Sequence, residues 1–387
     1  MYLIPLLAAA PFRIVPQTHK TMMNNQIRPV TVRGSTKIIS WNVGGLNGQV
    51  KRARVFSHLK HLNTDITFLQ ETHLRTIDHH RLSKPWIGQI FHSKFDFKTR
   101  GAAILINKNV NFIPSNTICD TNGRYIIVTG SLCLTSVALV SVYAPNWDDL
   151  EFMKKLISSL PDLRTHKLIF GGDINCVIDP RLDRSSSRTV TPSKMSLALS
   201  TFLDQCGCTD PWRVSHPNDR QYSFYSHVHK TYSRIDYFFI DKMLLSSVIS
   251  TEYSPIVNSD HSPVILNLNF AAQHKATYSW KLDSTLLSDN IFCNRIARSI
   301  DLFVETNKNE HTSPTTIWET LKAYLRGQII SYTAHTRKNQ KRQQNELMEA
   351  ISDLDRRCSI SPSPELVKER LSLQTEFNLC PPRIQKE

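Results

Sequence analysis

The chain has 387 residues and a formal net charge of +14 at pH 7. This length can bury a large core, and the basic excess favours a polyanionic partner, although a basic protein without a nucleic-acid role is the plainer alternative. The eight cysteines form no C-x-x-C pair, which argues against a zinc site and predicts reduced thiols without a disulfide-linked partner. The apolar N-terminus is short and is broken by Pro5 and Pro11, so we expect no membrane association.

Residues 1–35 are polar after Phe12 and show no periodicity, so we expect a disordered lead. The folded part is predicted to begin with a strand at 37–42, a glycine-rich turn and an amphipathic helix at 51–61. Further strands are predicted at 65–70, 101–106, 125–128, 136–143, 167–170, 222–225, 234–240 and 263–268, and further helices at about 148–159 and 195–205. Many strands with few long helices indicate an α+β fold, in which two packed sheets are flanked by helices.

The character of the chain changes after the last predicted strand. Two apolar stripes recur every three or four residues, which predicts a C-terminal helical extension over 271–387 that follows a domain at 36–270. The stripes are Ile317, Leu321, Leu325 and Ile329, and then Leu347, Ile351, Leu354 and Cys358. A break is expected at the Ser/Pro-rich stretch 359–364. The basic run at 337–342 is either a solvated helix face or a nucleic-acid contact, and the sequence leaves both open.

Polar groups stand where successive apolar runs begin or end. Asp260 and His261 lie directly before the last predicted strand. Four upstream segments share this form: Trp41-Asn42, Gln70-Glu71-Thr72-His73, Gly172-Asp173-Ile174-Asn175 and Arg234-Ile235-Asp236-Tyr237. Because a two-sheet sandwich can gather these strand ends at one rim, the sequence predicts one metal-assisted phosphodiesterase site.

Phosphodiester hydrolysis needs a divalent ion, an activated water and groups that stabilise the developing charge. Glu71 is the best candidate metal ligand, because it is a carboxylate at a strand end. Asn42 can orient that carboxylate or a metal-bound water, and Asp260 is a second acid near the metal. Because no Cys/His ligand spacing occurs, the residues favour a hard, oxygen-ligated ion such as Mg²⁺.

The remaining polar groups suit the attacking water and the phosphate. Asp173 can position or deprotonate the water, and Asn175 can donate to a phosphate oxygen. His261 can donate to the scissile phosphate when protonated, and Asp236 is its natural partner because a nearby carboxylate favours the imidazolium. Tyr143 offers a phenol near the leaving group or the phosphate. Each residue alone is more often a cap, a turn former or a buried structural group, so the hypothesis depends on their coincidence.

Taken in order, these motifs resemble those of the exonuclease III, AP endonuclease and DNase I-like superfamily of endonucleases, exonucleases and phosphatases. The resemblance covers about residues 36–270. Its carriers are Ser40-Trp41-Asn42-Val43-Gly44-Gly45-Leu46, Leu69-Gln70-Glu71-Thr72-His73, Val142-Tyr143-Ala144-Pro145-Asn146, Gly171-Gly172-Asp173-Ile174-Asn175, Ser233-Arg234-Ile235-Asp236-Tyr237 and Ser259-Asp260-His261-Ser262-Pro263. It implies a four-layer α/β sandwich, Mg²⁺ or Mn²⁺ as cofactor, and nicking of one strand of double-stranded DNA to leave a 3′-hydroxyl.

Within that superfamily the chain resembles most the endonuclease region of LINE-type, non-LTR retrotransposon polyproteins. The segments 182–185, 222–226 and 231–234 carry this likeness, and the helical extension is similar to the linker before the reverse transcriptase. No Tyr-x-Asp-Asp polymerase motif occurs, so we expect no reverse transcriptase module in this chain. Whether it is a functional gene product or a truncated retrotransposon copy stays open.

The resemblance also assigns residues to the cofactor and the nucleic acid. By matching motif, it implies the same roles for the metal, water and phosphate groups as given above. It implies DNA contacts at Asn146, Arg184 and Ser223. The turn that carries His229 and Lys230 matches a hairpin that such enzymes insert at the DNA groove, where groove shape can set target preference. A nuclear location, with the cytoplasm as the alternative, follows only from the expected DNA substrate.

Other functions remain alternatives to a Mg²⁺-dependent DNA endonuclease of retrotransposon type. The same fold serves abasic-site repair and 3′→5′ exonuclease activity, against which the retrotransposon-like extension argues. A catalytically idle nucleic-acid-binding module would work through 315–358, but Glu71 and His261 are both present. A lipid or inositol phosphatase is disfavoured by the nuclease-like segment 234–237, and a secreted DNase by the lack of a clear signal peptide.

Overall fold

The computed structural model describes residues 35–93, 95–186, 191–226, 228–270, 282–307, 313–361 and 363–379. The expected disordered lead lies outside these residues, except for Ser35. By their internal contacts the described residues form two compact units. The sandwich unit comprises the described part of 35–270 together with 346–379, and the helical unit comprises the described part of 282–345.

Fourteen strands occur in the sandwich unit. They are β1 (Ser35–Asn42), β2 (Ile66–Gln70), β3 (Ile87–His92), β4 (Ala102–Asn107), β5 (Phe112–Cys119), β6 (Tyr125–Leu132), β7 (Thr135–Tyr143), β8 (Lys167–Asp173), β9 (Cys208–Thr209), β10 (Phe224–Ser226), β11 (Thr231–Ser233), β12 (Asp236–Asp241), β13 (Val248–Tyr253) and β14 (Val264–Asn269). One six-stranded sheet has the order β13-β14-β1-β2-β4-β3, and the other has the order β5-β6-β7-β8-β12-β9. Strands β10 and β11 form a separate hairpin. Each large sheet contains one parallel pair, β1 with β2 and β7 with β8, so both sheets are mixed.

Seven α-helices and three short 3₁₀-helices occur in the described residues. The α-helices are α1 (Gln49–His61), α2 (Leu150–Ser158), α3 (Lys194–Gln205), α4 (Pro211–Ser215), α5 (Asn290–Asn307), α6 (Pro314–Ile360) and α7 (Pro364–Leu379), and short 3₁₀-helices occupy Thr76–Leu82, Lys242–Ser247 and Ser284–Ser288. Side-chain caps fix helix starts, and at α2 and α3 Asp149 accepts from the Phe152 N–H and Ser193 from the Ser196 N–H. These caps explain why α2 and α3 begin where they do.

The two large sheets pack face to face. Their inner faces share one core, which includes Phe68 and Ile104 from the first sheet and Val128, Ile169 and Phe238 from the second. The rings of Phe68 and Phe238 lie 5.9 Å apart. Alternation along each strand places the other side chains on the outer faces, where a helix must cover them.

Helices cover both outer faces. Val55 and Leu59 of α1 pack against Trp41 and Leu69 on the first sheet. On the second sheet, a corresponding cluster joins α2 and α3 to Phe170. The order helix, sheet, sheet, helix confirms the predicted α+β four-layer sandwich.

Five strands were missed in the sequence. Four of them lie at the edges of the large sheets, β3, β5, β9 and β13, and the fifth is β11 of the separate hairpin. Strand β5 exposes most of its middle residues. An edge strand faces solvent along one side, so its sequence lacks the continuous apolar run that marks the central strands. The strand predicted over 234–240 is β12, which begins two residues later, at Asp236.

The helical unit has its own core. Phe292 and Ile296 of α5 pack against Leu321, Leu325 and Ile329 of α6. The first predicted stripe therefore is a buried helix face, as expected. Within the described residues, no helix is both long and apolar enough to cross a bilayer.

The end of α6 and all of α7 belong to the sandwich unit. Val257 lies in a cluster with Leu347, Ile351 and Phe377. The guanidinium of Arg370 donates to the Ile256 carbonyl at 3.0 Å and to Asp355 at 2.6 Å. The C-terminal helices therefore hold the loop that leads to the Asp260-His261 pair. The predicted boundaries at 35, 270 and 271 remain predictions.

This packing predicts an effect of Phe377→Ala on stability. Phe377 is buried, so truncation should lower the free energy of unfolding of the sandwich unit by about 3 kcal/mol. The matched control is Leu371→Ala on the same helix, whose side chain is exposed and whose truncation should change stability by less than about 0.5 kcal/mol. Urea denaturation followed by tryptophan fluorescence measures both, and equal effects would contradict the packing.

Candidate active site

The predicted polar residues meet at one edge of the sandwich. Because β1 and β2 are parallel, they end together at Asn42 and Gln70, and Glu71 follows. In the other sheet, parallel β7 and β8 end together at Tyr143 and Asp173. The antiparallel strands β12 and β14 start at the same edge and bring in Asp236 and His261.

Asn42 connects the two sheets at this edge. Its Nδ2 donates to Glu71 Oε1 and to Asp173 Oδ2, both at 2.9 Å. Its Oδ1 accepts from the Gly44 N–H at 3.1 Å, which fixes the orientation of the amide. Asn42 is buried, so these hydrogen bonds set the positions of the two carboxylates.

Glu71 presents an ionised carboxylate to the cleft. Burial alone would raise the pKa of Glu71, but hydrogen bonds from His73, Asn42 and Tyr143 outweigh it and lower that pKa to about 2. The side chain keeps 23 % of its surface exposed. Its backbone has φ 52°, which is rare for a residue with a Cβ, and a hydrogen bond from the Gly45 N–H to the Glu71 carbonyl holds this conformation.

Asp236, His261 and Asp173 form a buried charged group. Asp236 Oδ2 lies 2.8 Å from Nδ1 of His261, and Asp173 Oδ2 lies 3.8 Å from its Nε2. Burial opposes protonation of the imidazole, but the carboxylates of Asp236 and Asp173 outweigh it and raise the pKa of His261 to about 10. Burial also raises the pKa of Asp173. His261 is therefore an imidazolium at neutral pH, with Nδ1 bonded to Asp236.

Ser223 does not have the role that was expected of it. Its side chain is fully buried, at 0 % exposure, so a direct contact with DNA is excluded and that prediction was wrong. Instead, Ser223 Oγ accepts from the backbone N–H groups of Ile235 and Asp236, both at 3.0 Å. Ser223 therefore fixes the start of β12 and, with it, the carboxylate that contacts His261.

The other predicted phosphate groups lie at the same edge. Asn175 has φ 52°, and its Nδ2 donates to the Ala144 carbonyl at 2.9 Å and to Asp173 at 3.2 Å. Tyr143 is half-buried, and the Arg124 guanidinium lies 4.9 Å from its ring centroid. Burial and the neighbouring Glu71 raise the pKa of Tyr143, so its phenol stays protonated and can donate a hydrogen bond.

The predicted DNA contacts differ in exposure. Asn146, His229 and Lys230 are exposed, and Arg184 is half-buried. The hairpin that carries His229 and Lys230 adjoins the site, because Phe224 of β10 pairs with His261 and their rings lie 4.7 Å apart. These positions are compatible with DNA contact, which stays a prediction.

Two residues that support the site stand in the quoted motifs but were given no role from the sequence. Trp41 Nε1 donates to the His261 carbonyl at 3.0 Å, and Ser259 Oγ donates to the Asn42 carbonyl at 2.7 Å. Each of these hydrogen bonds joins residues more than 200 positions apart, so no local pattern signals it. Both residues adjoin the motif residues Asn42 and Asp260, which was the available signal.

A buried ion-pair network underlies the hairpin and β12. Arg234 is buried and contacts Asp183 at 2.7 Å and Asp210 at 2.5 Å. The hydroxyl of Tyr237 donates to the Arg234 carbonyl at 2.6 Å. Removal of one partner from such a network leaves an uncompensated buried charge, so this network is a structural support of the site.

Two groups of residues have the chemistry to hold a cation. Asp173, Asp236 and His261 bring their ligand atoms within 4.8 Å of one another. However, the protonated imidazole is a donor and cannot ligate a metal through its protonated nitrogens. Glu71 and the exposed Asp260 both act on the Lys51 ammonium, so they face a common space and offer only oxygen donors. This set fits a hard ion such as Mg²⁺.

The chain matches the Endonuclease/Exonuclease/phosphatase family over residues 39–261, which is more than half of its length. The chain belongs to this family, and the resemblance inferred from the motifs is confirmed. It is a nuclease-type hydrolase that acts on phosphodiester bonds, and the family is metal-dependent.

Three relatives extend the comparison. A Xenopus laevis protein, the transposon TX1 uncharacterized 149 kDa protein, is 24% identical over 343 residues, which cover 86% of this chain and 26% of that protein. The chain therefore spans about a quarter of that relative. A DNA-(apurinic or apyrimidinic site) endonuclease of Dictyostelium discoideum is 26% identical over 64% of this chain and 75% of its own length. An exodeoxyribonuclease of Bacillus subtilis (strain 168) is 26% identical over 60% and 99%.

Solved structures share the fold. The AP endonuclease LMAP from Leishmania major has a TM-score of 0.51 at 18% identity, and covers 61% of this chain and 88% of its own. The catalytic domain of Xenopus laevis APE2 has a TM-score of 0.51 at 19% identity, with coverage of 62% and 94%. At this identity the likeness supports the four-layer sandwich and nothing finer.

The site geometry predicts the effect of Asp236→Asn on His261. The substitution removes a negative charge that stabilises the buried imidazolium against the effect of burial. The pKa of His261 should therefore fall well below its wild-type value. NMR titration of the imidazole measures this pKa, with Asp162→Asn at an exposed ion pair as control. An unchanged pKa in Asp236→Asn would contradict the proposed pairing.

Proposed function

We propose that this protein is a Mg²⁺-dependent DNA endonuclease that hydrolyses one strand of a duplex and leaves a 3′-hydroxyl, as in target nicking by a retrotransposon. The observation that carries the proposal is the Asn42 bridge. The Asn42 amide donates to both the ionised Glu71 carboxylate and Asp173, and so holds them beside the imidazolium of His261. This arrangement combines a cation-binding acid, a candidate base and a charged donor at one open edge.

The residues divide the work on the phosphate between them. The distance of 3.8 Å between His261 Nε2 and Asp173 is too long for a hydrogen bond, so the Nε2–H can donate to a phosphate oxygen. Asp236 keeps the imidazole charged and oriented. Tyr143 and Asn175 supply further donors around the same oxygens, where negative charge develops in the transition state.

Asp173 is the candidate base for the attacking water. Burial raises its pKa toward the range in which a carboxylate can accept a proton at neutral pH. Asn42 and the Asn175 N–H hold its two oxygens, which leaves its orientation fixed before substrate binds. Such preorganisation avoids a reorientation of the carboxylate during the reaction.

Glu71 and Asp260 would hold the cation, with Asn42 as the group that orients Glu71. When bound, Mg²⁺ supplies positive charge to the phosphate oxygens and polarises them. The Lys51 ammonium interacts electrostatically with both acids, and its Nζ donates to the Gly44 carbonyl at 2.7 Å. Identity of the ion as Mg²⁺, with Mn²⁺ as the alternative, is part of the proposal.

Double-stranded DNA is the proposed substrate. The +14 net charge supports a polyanionic partner, and the hairpin with His229 and Lys230 stands directly beside His261. Asn146 and Arg184 are proposed to contact the same duplex. A nuclear location follows from this substrate and is proposed with it.

A second candidate function is abasic-site cleavage or 3′→5′ exonuclease activity. The names of the Dictyostelium discoideum and Bacillus subtilis relatives favour it. The similarity to the transposon protein favours the first candidate, because it extends over 86% of the chain and so beyond the family region at 39–261.

Plasmid nicking separates the two candidates. With Mg²⁺, we expect relaxed circles from intact supercoiled plasmid and little preference for a duplex that carries one abasic analogue. EDTA should abolish both reactions, because Glu71 and Asp260 then lack their cation. Cleavage confined to the abasic duplex would move the assignment to repair, and binding without any cleavage would leave a binding module.

The variants Glu71→Ala and His261→Ala test the site. Each should lower the nicking rate by roughly 10²–10⁴-fold, because each removes a group that acts on the phosphate. DNA affinity should change little, since it depends mostly on Lys and Arg contacts with phosphates. Glu151→Ala is the matched control for loss of an exposed carboxylate. Wild-type rates in both site variants would refute the assignment.

A further inference from the structure

A pocket lies beside the candidate active site, between α1, the loop before β14 and α7. Its volume is about 340 Å³. Its walls include Lys51 and Arg54 from α1, Asp260 from the loop, and Arg370, Gln374 and Asn378 from α7. All these residues belong to the sandwich unit. The pocket therefore joins the family region to a C-terminal helix that lies outside it.

Among the described residues, Arg54 has no partner for its charge. It forms no hydrogen bond or ion pair with any residue in the described ranges, and its Nε is buried without an acceptor. On the opposite wall, Oδ1 of Asn378 is also buried without a donor. Arg54 lines the pocket and brings an uncompensated positive charge to it, so the pocket is suited to an anion that pairs with the guanidinium.

The other charges around the pocket are compensated. Arg370 is paired with Asp355 and also donates to the Ile256 carbonyl. Lys51 is attracted by Asp260, which is the one acid among the six lining residues named above. With those two charges balanced, the guanidinium of Arg54 sets the sign of the field in the pocket.

We propose that this pocket binds a backbone phosphate of the nucleic-acid substrate, away from the scissile bond, with Arg54 as the charged donor. Arginine suits this task because its planar fork matches phosphate oxygens. Helix α7 forms the second wall, so the C-terminal helices take part in substrate binding as well as in packing. The inference rests on the proposed function, because it takes nucleic acid as the substrate.

The test measures binding of a fluorescent DNA duplex in EDTA, so it needs no cleavage. Arg54→Gln should raise Kd roughly tenfold, the usual loss for a hydrogen bond to a charged group. It should also reduce the slope of log K against log salt by about 1, as for one lost phosphate contact. Arg54→Lys keeps the charge and should retain the slope. Arg164→Gln removes one charge from a side chain that is 90% exposed outside the pocket, and it should match wild type.

A second measurement stays valid if Arg54→Gln also lowers stability. It uses a series of duplexes in which one phosphate at a time is replaced by a neutral methylphosphonate. At one position the replacement should weaken binding by the wild type but should leave binding by Arg54→Gln unchanged. The absence of such a position, or equal binding by Arg54→Gln and Arg164→Gln, would overturn the inference. The proposed function is tested separately, and a lack of Mg²⁺-dependent nicking by the wild-type protein would refute it.

Discussion

The active-site geometry depends on one buried amide. Asn42 ends β1 in the first sheet, yet its Nδ2 holds both Glu71 beside it and Asp173 from the second sheet. The apolar inner faces hold the two sheets together in the core, and at this edge the Asn42 contact fixes their polar residues relative to one another. A carboxylate pair that is held in this way needs no rearrangement before it binds a cation or a water.

His261 is positioned and kept charged by buried carboxylates and by hydrogen bonds to its backbone. Asp236 orients the imidazole, Ser223 fixes the backbone that carries Asp236, and Trp41 holds the His261 carbonyl. The imidazolium is stable only because the carboxylates around it outweigh its desolvation. The same loop is held from outside by Arg370, so the C-terminal helices support the site although they lie far away in the chain.

Sequence reasoning identified the central strands and the rim of polar residues, because both leave local patterns. Buried strands are continuous apolar runs, and Asn42, Glu71, Asp173 and His261 stand next to them. Edge strands such as β5 leave no such pattern, since solvent takes the place of one neighbour.

Contacts between segments that are distant in the chain could not be predicted from the sequence either. Ser223 was expected at the DNA surface, but it is buried against Asp236. The local sequence around a serine does not distinguish a DNA contact from a buried hydrogen-bonding role. The packing of Phe377 near Val257 and the unpartnered Arg54 could be found only from the folded chain. The apolar stripe predicted a helix, but it did not indicate which surface the helix would cover.

The central claim is that this site hydrolyses a DNA phosphodiester bond and leaves a 3′-hydroxyl. The most direct measurement is end-group analysis of plasmid after incubation with the wild-type protein and Mg²⁺. The account predicts that a DNA polymerase extends the nicks with labelled nucleotides at once, without prior treatment by a phosphatase. Extension only after removal of a 3′-phosphate, or no nick to extend, would contradict it.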